Sequence, residues 1–203
     1  MITTVGDDMK NSILHRKDSL IITTIEIIDE LGILGLSTRE IAKRQEVSEA
    51  TLFRHYKSKN ELLIAVLEYF LQFDEDIFLT TQKRELAPKE SIVQFISLLA
   101  VYYENYPAIT SIMQMIDVLR YDPTLEDKAK NIFNKRIKFI KQLVEEAQTQ
   151  GAIRIDMNSE DIAVLISGMC REVCLKWRLE NKRFPLKDKT LLALDILLGN
   201  VSP

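Results

Sequence analysis

Glycine and proline are scarce in this chain, six and five positions among 203, and that scarcity excludes turn-rich architectures. A β-sandwich, a collagen-like chain or a low-complexity tail would carry far more of both. No uncharged apolar run approaches the roughly 18 residues of a membrane span, and residues 1–12 hold no apolar signal core. The expectation is a cytoplasmic protein with no membrane partner. Cysteine occurs only at Cys170 and Cys174. One helical turn apart and without a nearby histidine, the two thiols cannot complete a zinc site, and they read as buried and free. With His15 and His55 the only imidazoles, no glycine-rich phosphate loop and no metal-spaced carboxylates, the chain lacks the parts of a catalytic centre. Neither enzyme activity, nor a metal, nor a cofactor is expected.

What the chain does hold is ordinary in bulk, with 46% hydrophobic and 28% charged residues. The charge is uneven, however. From Arg39 to Lys59 six basic residues face three acids, so a window of +3 sits in a chain of net charge −3. Charge gathered in this way suits one local contact with a polyanion. Apolar residues recur at three- and four-residue spacing nearly throughout, which predicts an all-α fold of about nine helices. A first helix is expected over 17–33, ended by Gly32 and Gly35. Ser37 with Glu40, and Ser58 with Glu61, read as capping boxes, and Ser48 reads as an N-cap. Further helices are expected from Lys59 to Thr81, from Pro88 to Asn105, from Pro107, from Thr124 to the Gly151 stop, from Ser159, and from Asp188 to Gly199.

The segment Leu36–Leu63, LSTREIAKRQEVSEATLFRHYKSKNELL, carries the functional signal. Two short helices, Ser37–Gln45 and Ser48–Tyr56, joined by a tight turn have the arithmetic of a helix-turn-helix. Ala42 falls at the helix crossing, and Ile41, Val47 and Leu52 supply a small shared core. The second helix would enter a DNA major groove with its early residues toward base edges. By their chemistry, Arg39, Glu49, Ala50 and Thr51 are candidates for base contact. For Glu49, stabilisation of the helix dipole is an equal reading.

These residues resemble the TetR (TetR/AcrR) family of bacterial transcriptional regulators. Ile41-Ala42, Val47-Ser48, Thr51-Leu52-Phe53, His55-Tyr56, Ser58-Lys59 and Leu62 fall in register with that family's motif. The resemblance covers about 17–70, and it implies an N-terminal three-helix DNA-binding domain over 1–58, behind a flexible arm at 1–12. It also implies a C-terminal helical ligand-binding and dimerisation domain over 59–203. Thr38, His55, Tyr56 and Lys59 resemble the family's phosphate contacts, and Ser48 and Lys57 complete the expected DNA-binding surface. For Tyr56 the competing reading is a core aromatic, and for Arg54 and Lys57 plain solvated charge. Gln45-Glu46 stands where the family has Ala-Gly, and Ala50 where it has Gly. A non-glycine residue in a left-handed turn costs about 1 kcal/mol.

The resemblance further implies a homodimeric repressor, released from a pseudo-palindromic double-stranded DNA operator by a small, hydrophobic effector. Phe70, Phe73, Tyr102, Tyr103, Tyr106, Met113, Met115, Phe133 and Trp177 are the candidate ligand-binding residues. The last two helices are apolar over broad faces, and Ile162, Ile166, Met169, Val173, Leu191, Leu194 and Leu198 are the expected dimer interface. The alternative is a helical protein–protein adaptor whose helix-turn-helix no longer reads DNA.

Overall fold

The computed structural model describes residues 5–203, with side chains described from Arg16 onward. The arm expected over 1–12 falls largely outside the described residues, and so does the His15 side chain. Nine α-helices and one 3-10 turn occur among the described residues: α1 (Val5–Gly35), α2 (Thr38–Arg44), α3 (Glu49–His55), α4 (Lys59–Gln82), α5 (Pro88–Asn105), the 3-10 turn Pro107–Ile109, α6 (Thr110–Leu119), α7 (Glu126–Thr149), α8 (Ser159–Leu179) and α9 (Leu186–Val201). Helix α1 begins at Val5, well before the expected Lys17, and it kinks at Gly32, whose φ of 70° only glycine adopts freely.

Serine caps set the short helices. The Ser37, Ser48 and Ser58 hydroxyls each accept the amide three residues on, from Glu40, Thr51 and Glu61, all at 3.1 Å. The reciprocal half of the capping box differs from expectation at both sites. Glu40 turns to the Arg44 guanidinium at 3.0 Å, a charged partner that outcompetes an amide. Glu61 accepts instead from the Lys57 amide at 2.6 Å, one residue upstream of the cap. Helix α7 starts at Glu126, not Thr124, because the Asp122 carboxylate holds the Thr124 amide at 2.8 Å in a local turn. Gly151, at φ 73°, stops it as expected. Helix α9 begins at Leu186, directly after Pro185.

Apolar side chains gather into two clusters that do not divide at residue 58. The first joins α1–α3 to the front of α4, to α6 and to the start of α7, with Cys174 and Trp177 from α8. The second joins the rear of α4 to α5, α7, α8 and α9. Phe70 and Phe78 on α4 belong to different clusters, as do Ile132 and Ile140 on α7. Midway between each pair, one turn from both, stand Asp74 and Arg136. The seam between the clusters is polar.

The dimer face is corrected by burial. Ile162, Ile166, Leu194 and Leu198 are buried within the second cluster, with Met169 and Leu191 packed against it and Val173 against the first. These side chains fill their own chain's core because the inward stripe of each helix is the more apolar one. The outward stripe is Val164 and Leu165 on α8, and Leu192 and Ile196 on α9, at 46, 56, 56 and 64% exposure.

Candidate DNA-reading head and interior cavity

Ile41, Ala42 and Leu52 are buried between α2 and α3, while Val47 is only partly covered. Glu46 occupies the turn at φ 52°, a left-handed conformation unfavourable for a side chain. Gln45 offsets that cost. Its amide donates to the Thr23 hydroxyl at 2.6 Å, and its carbonyl accepts from Ser19 at 2.8 Å. Both partners lie on α1, so the residue replacing the family's small one clamps the turn to the bracing helix. Arg44 adds ion pairs to Glu30 at 2.7 Å and to Glu40.

On the outer surface, Arg39, Lys43, Ser48, Glu49, Ala50, Phe53, Arg54 and Lys57 are exposed. Thr38 donates to the Glu49 carboxylate at 2.6 Å, which fixes Glu49 against the head of α3. The Ser48 and Thr51 hydroxyls lie 3.0 Å apart, and Thr51 accepts from Arg54 at 3.2 Å. Lys59 donates to the Leu36 carbonyl at 2.8 Å, bracing α4 against the end of α1. Tyr56 has the alternative environment: its ring is buried in the first cluster, with the Lys17 ammonium 5.7 Å above it. Burial, then Asp18 and Glu61, push its hydroxyl pKa up to about 12. Partial burial, followed by Arg16, Arg54 and Lys17, holds the His55 pKa below the ordinary histidine value. His55 is therefore neutral at pH 7 until an anion approaches. The exposed Phe53 was missed by the sequence reading, although its place one turn after Glu49 puts it on the same outward face. Arg16 and Lys17, one α1 turn from this surface's aromatic, were missed as well.

The effector-domain candidates separate into three groups. Tyr103 and Met113 border a cavity of about 20 Å³ lined also by Arg136, Cys170 and Cys174. Met113 and the half-exposed Phe133 border a second, of about 130 Å³, together with Arg136, Ser167 and Arg171. Phe73 stacks on Tyr102 at 4.8 Å between ring centres, with Tyr106 edge-on beyond. The Tyr102 and Tyr106 hydroxyls are buried without a partner among the described residues. Phe70, Met115 and Trp177 belong to the packed core, and the Trp177 indole donates to the Phe184 carbonyl at 2.9 Å. The two thiols are free; burial raises their pKa to about 12 for Cys170 and about 11 for Cys174.

Arg136 and Asp74 were not among the sequence candidates. The guanidinium grips the carboxylate with two bonds of 2.8 Å, from Nε to Oδ2 and from Nη2 to Oδ1. Nη2 also donates to the Tyr103 hydroxyl at 2.7 Å, and the guanidinium lies 5.2 Å over the Phe70 ring. Asp74 is fully buried. Burial pushes its carboxyl pKa up, and Arg136 opposes that shift. The sequence did contain a signal: each charge interrupts an apolar stripe at four-residue spacing.

Comparison with known proteins decides the family. Residues 20–66 match the bacterial regulatory proteins of the tetR family, and residues 72–199 match the C-terminal region of YsiA-like proteins. The chain belongs to the TetR family. It is a DNA-binding transcriptional regulator with an effector-binding C-terminal domain. Among solved TetR-like structures, the regulator FadR from Bacillus subtilis in complex with stearoyl-CoA superimposes with a TM-score of 0.79 at 20% identity, covering 90% of this chain and 98% of that one. A transcriptional regulator from Saccharomonospora viridis in complex with choline gives 0.78 at 18% identity, over 91% and 96%. In sequence, the nucleoid occlusion factor SlmA of Marinobacter nauticus is 23% identical over 149 residues, 72% of this chain and 75% of that one. At these identities the likeness establishes the fold, while the bound molecules belong to those proteins. Among the described residues, no helix is long and apolar enough to cross a membrane.

Proposed function

We propose that this regulator is a homodimeric repressor that reads a two-fold operator and is released by a small, largely apolar effector. The division of labour follows 1–58 for reading DNA and 59–203 for effector binding and dimerisation. The observation that carries the reading is the exposed face of α2 and α3. Arg39 has the donors for guanine, Glu49 is held by Thr38 where it can accept from cytosine, and the Ala50 methyl and Phe53 ring can meet thymine methyls. Lys43, Arg54 and Lys57 rim that face as phosphate partners, and a protonating His55 would join them. Tyr56 supports the surface from beneath, as a core ring.

The outward stripe of Val164, Leu165, Leu192 and Ile196 supports a second copy as the dimer partner. Gly168 and Gly199 leave open space where a side chain would stand, which suits close helix approach across a two-fold axis. Effector coupling has a continuous physical route. The first cluster runs from the reading head to α6, and Asn60 in the first turn of α4 donates to Asp122 at 3.0 Å and to Thr124 at 2.8 Å in the turn before α7. Arg178 on α8 pairs with Asp29 on α1 at 2.6 Å. A ligand that binds better when these helices spread would weaken operator binding by that difference in affinity. Selection from random DNA duplexes tests the reading, with light scattering of free protein and complex. The expected result is a two-fold symmetric site bound by two chains, and a Leu192→Glu variant that is monomeric. Enrichment of no sequence would leave the adaptor reading in its place.

A further inference from the structure

Two strong donors in the effector domain converge on a weak acceptor. Arg136 Nη1 meets the Met113 thioether sulfur at 3.2 Å, and the Tyr103 hydroxyl points to the same sulfur at 4.0 Å. The Tyr103 oxygen already accepts from Arg136 Nη2, so its own proton has no better partner among the described residues. Thioether sulfur accepts hydrogen bonds poorly, and a buried donor left with so little costs more than a satisfied one. Met113 is also unbranched and has several rotatable bonds, so it can swing away without backbone movement. Its side chain borders both interior cavities, as does Arg136.

We infer that Arg136 Nη1 and the Tyr103 hydroxyl form a two-donor cradle for the carbonyl oxygen of a neutral acyl ester or thioester, which takes the place of the Met113 sulfur. The inference rests on the effector reading above and names the chemistry of that ligand. The rest of the lining dictates an apolar chain: Ile96, Leu99, Ala100 and Ile140 on one side, Ile132 and Ile137 on the other. Charge selects the carbonyl over a free carboxylate. The Asp74 carboxylate is already matched by Arg136, so the buried constellation is neutral, and a second carboxylate would bring an unmatched buried charge. A carbonyl brings an acceptor and no charge. The exposed Arg171 beside Phe133 and Val164 marks where the second cavity nears the surface, and a larger polar or anionic leaving portion of the ester would sit there.

The test measures binding of four probes, methyl octanoate, octanoyl-CoA, octanoate and CoA alone, by calorimetry and by thermal shift of the full chain. The wild type is expected to bind the ester and the thioester, and to bind octanoate at least tenfold more weakly than methyl octanoate. Tyr103→Phe, which removes one donor and leaves the ion pair intact, is expected to weaken both acyl probes about tenfold, the usual worth of one buried hydrogen bond. Met113→Leu keeps the volume and removes the competing sulfur, so both acyl probes are expected to bind at least as tightly as to wild type. Melting curves of each variant establish that it is folded. Octanoate binding as tightly as the ester would overturn the proposal in favour of an anion receptor. Unchanged affinity in Tyr103→Phe, binding of CoA alone equal to octanoyl-CoA, or no binding of any probe would overturn it as well. None of these outcomes bears on operator selection, whose failure alone would remove the regulator reading.

Discussion

In the reading head, polar side chains close short spans at the surface, where Ser37, Ser48 and Ser58 cap their own helices and Gln45 reaches α1. In the effector domain the decisive polar contact is buried and joins residues 62 apart in sequence, Asp74 and Arg136. Loss of one surface cap exposes an amide to water, at a cost of about 1 kcal/mol. Loss of one member of a buried pair strands a charge. The head therefore tolerates substitution and can vary its reading surface, whereas the core holds one arrangement of α4 against α7 until a ligand offers the donors something better.

The largest expected effect breaks the buried side of that comparison. Arg136→Leu leaves Asp74 unpaired and should cost about 3–5 kcal/mol, lowering the melting temperature by roughly 6–20 °C. The double variant Asp74→Leu with Arg136→Met should recover most of that loss in the same thermal melts. On the exposed side, Arg39→Ala should weaken operator binding by about 1–3 kcal/mol and relax the preference at one base position, whereas Lys57→Ala should weaken all sequences alike and lower the salt slope by about 1. Quantitative gel shifts on single-base operator variants separate the two patterns. Gln45→Ala removes two clamping bonds and should cost about 1–3 kcal/mol of stability, with the Glu46 turn left strained. Glu46→Gly relieves that strain and should stabilise by up to about 1 kcal/mol, read from denaturant midpoints.

The smallest effect is a pH dependence. In the free protein the His55 pKa is held below its ordinary value, and a phosphate beside it would raise that pKa. Operator affinity should then rise as pH falls through the range below about 6.5, and His55→Gln should flatten that slope. The stability of the free protein moves the other way. Its folded His55 resists protonation, so the folded state loses stability over the same fall in pH.

How much of this was legible follows from the same division. The three serine caps, the Pro88 start and the Gly151 stop each depend on residues within one helical turn, and the nine helices were readable from them. The helix-turn-helix was readable as well, since its register lies within 28 contiguous residues, Leu36–Leu63. Periodicity could not choose between two apolar stripes on one helix, so the buried Ile166 and Leu194 stood for the outward Leu165 and Leu192. Nor could it place Tyr56, whose ring and hydroxyl satisfy opposite readings. The Asp74–Arg136 seam was visible only as two charges on apolar stripes, because pairing between distant helices leaves no trace in local spacing. Phe53 was hidden by the opposite bias: an aromatic was expected to turn inward.

The measurement closest to the central claim is a salt titration of operator affinity with purified protein and a selected duplex. An exposed basic face on DNA releases counterions, so log K should fall linearly and steeply with log salt, with a slope near −0.9 for each phosphate neutralised. A flat dependence, with the duplex held equally at low and high salt, would contradict the account.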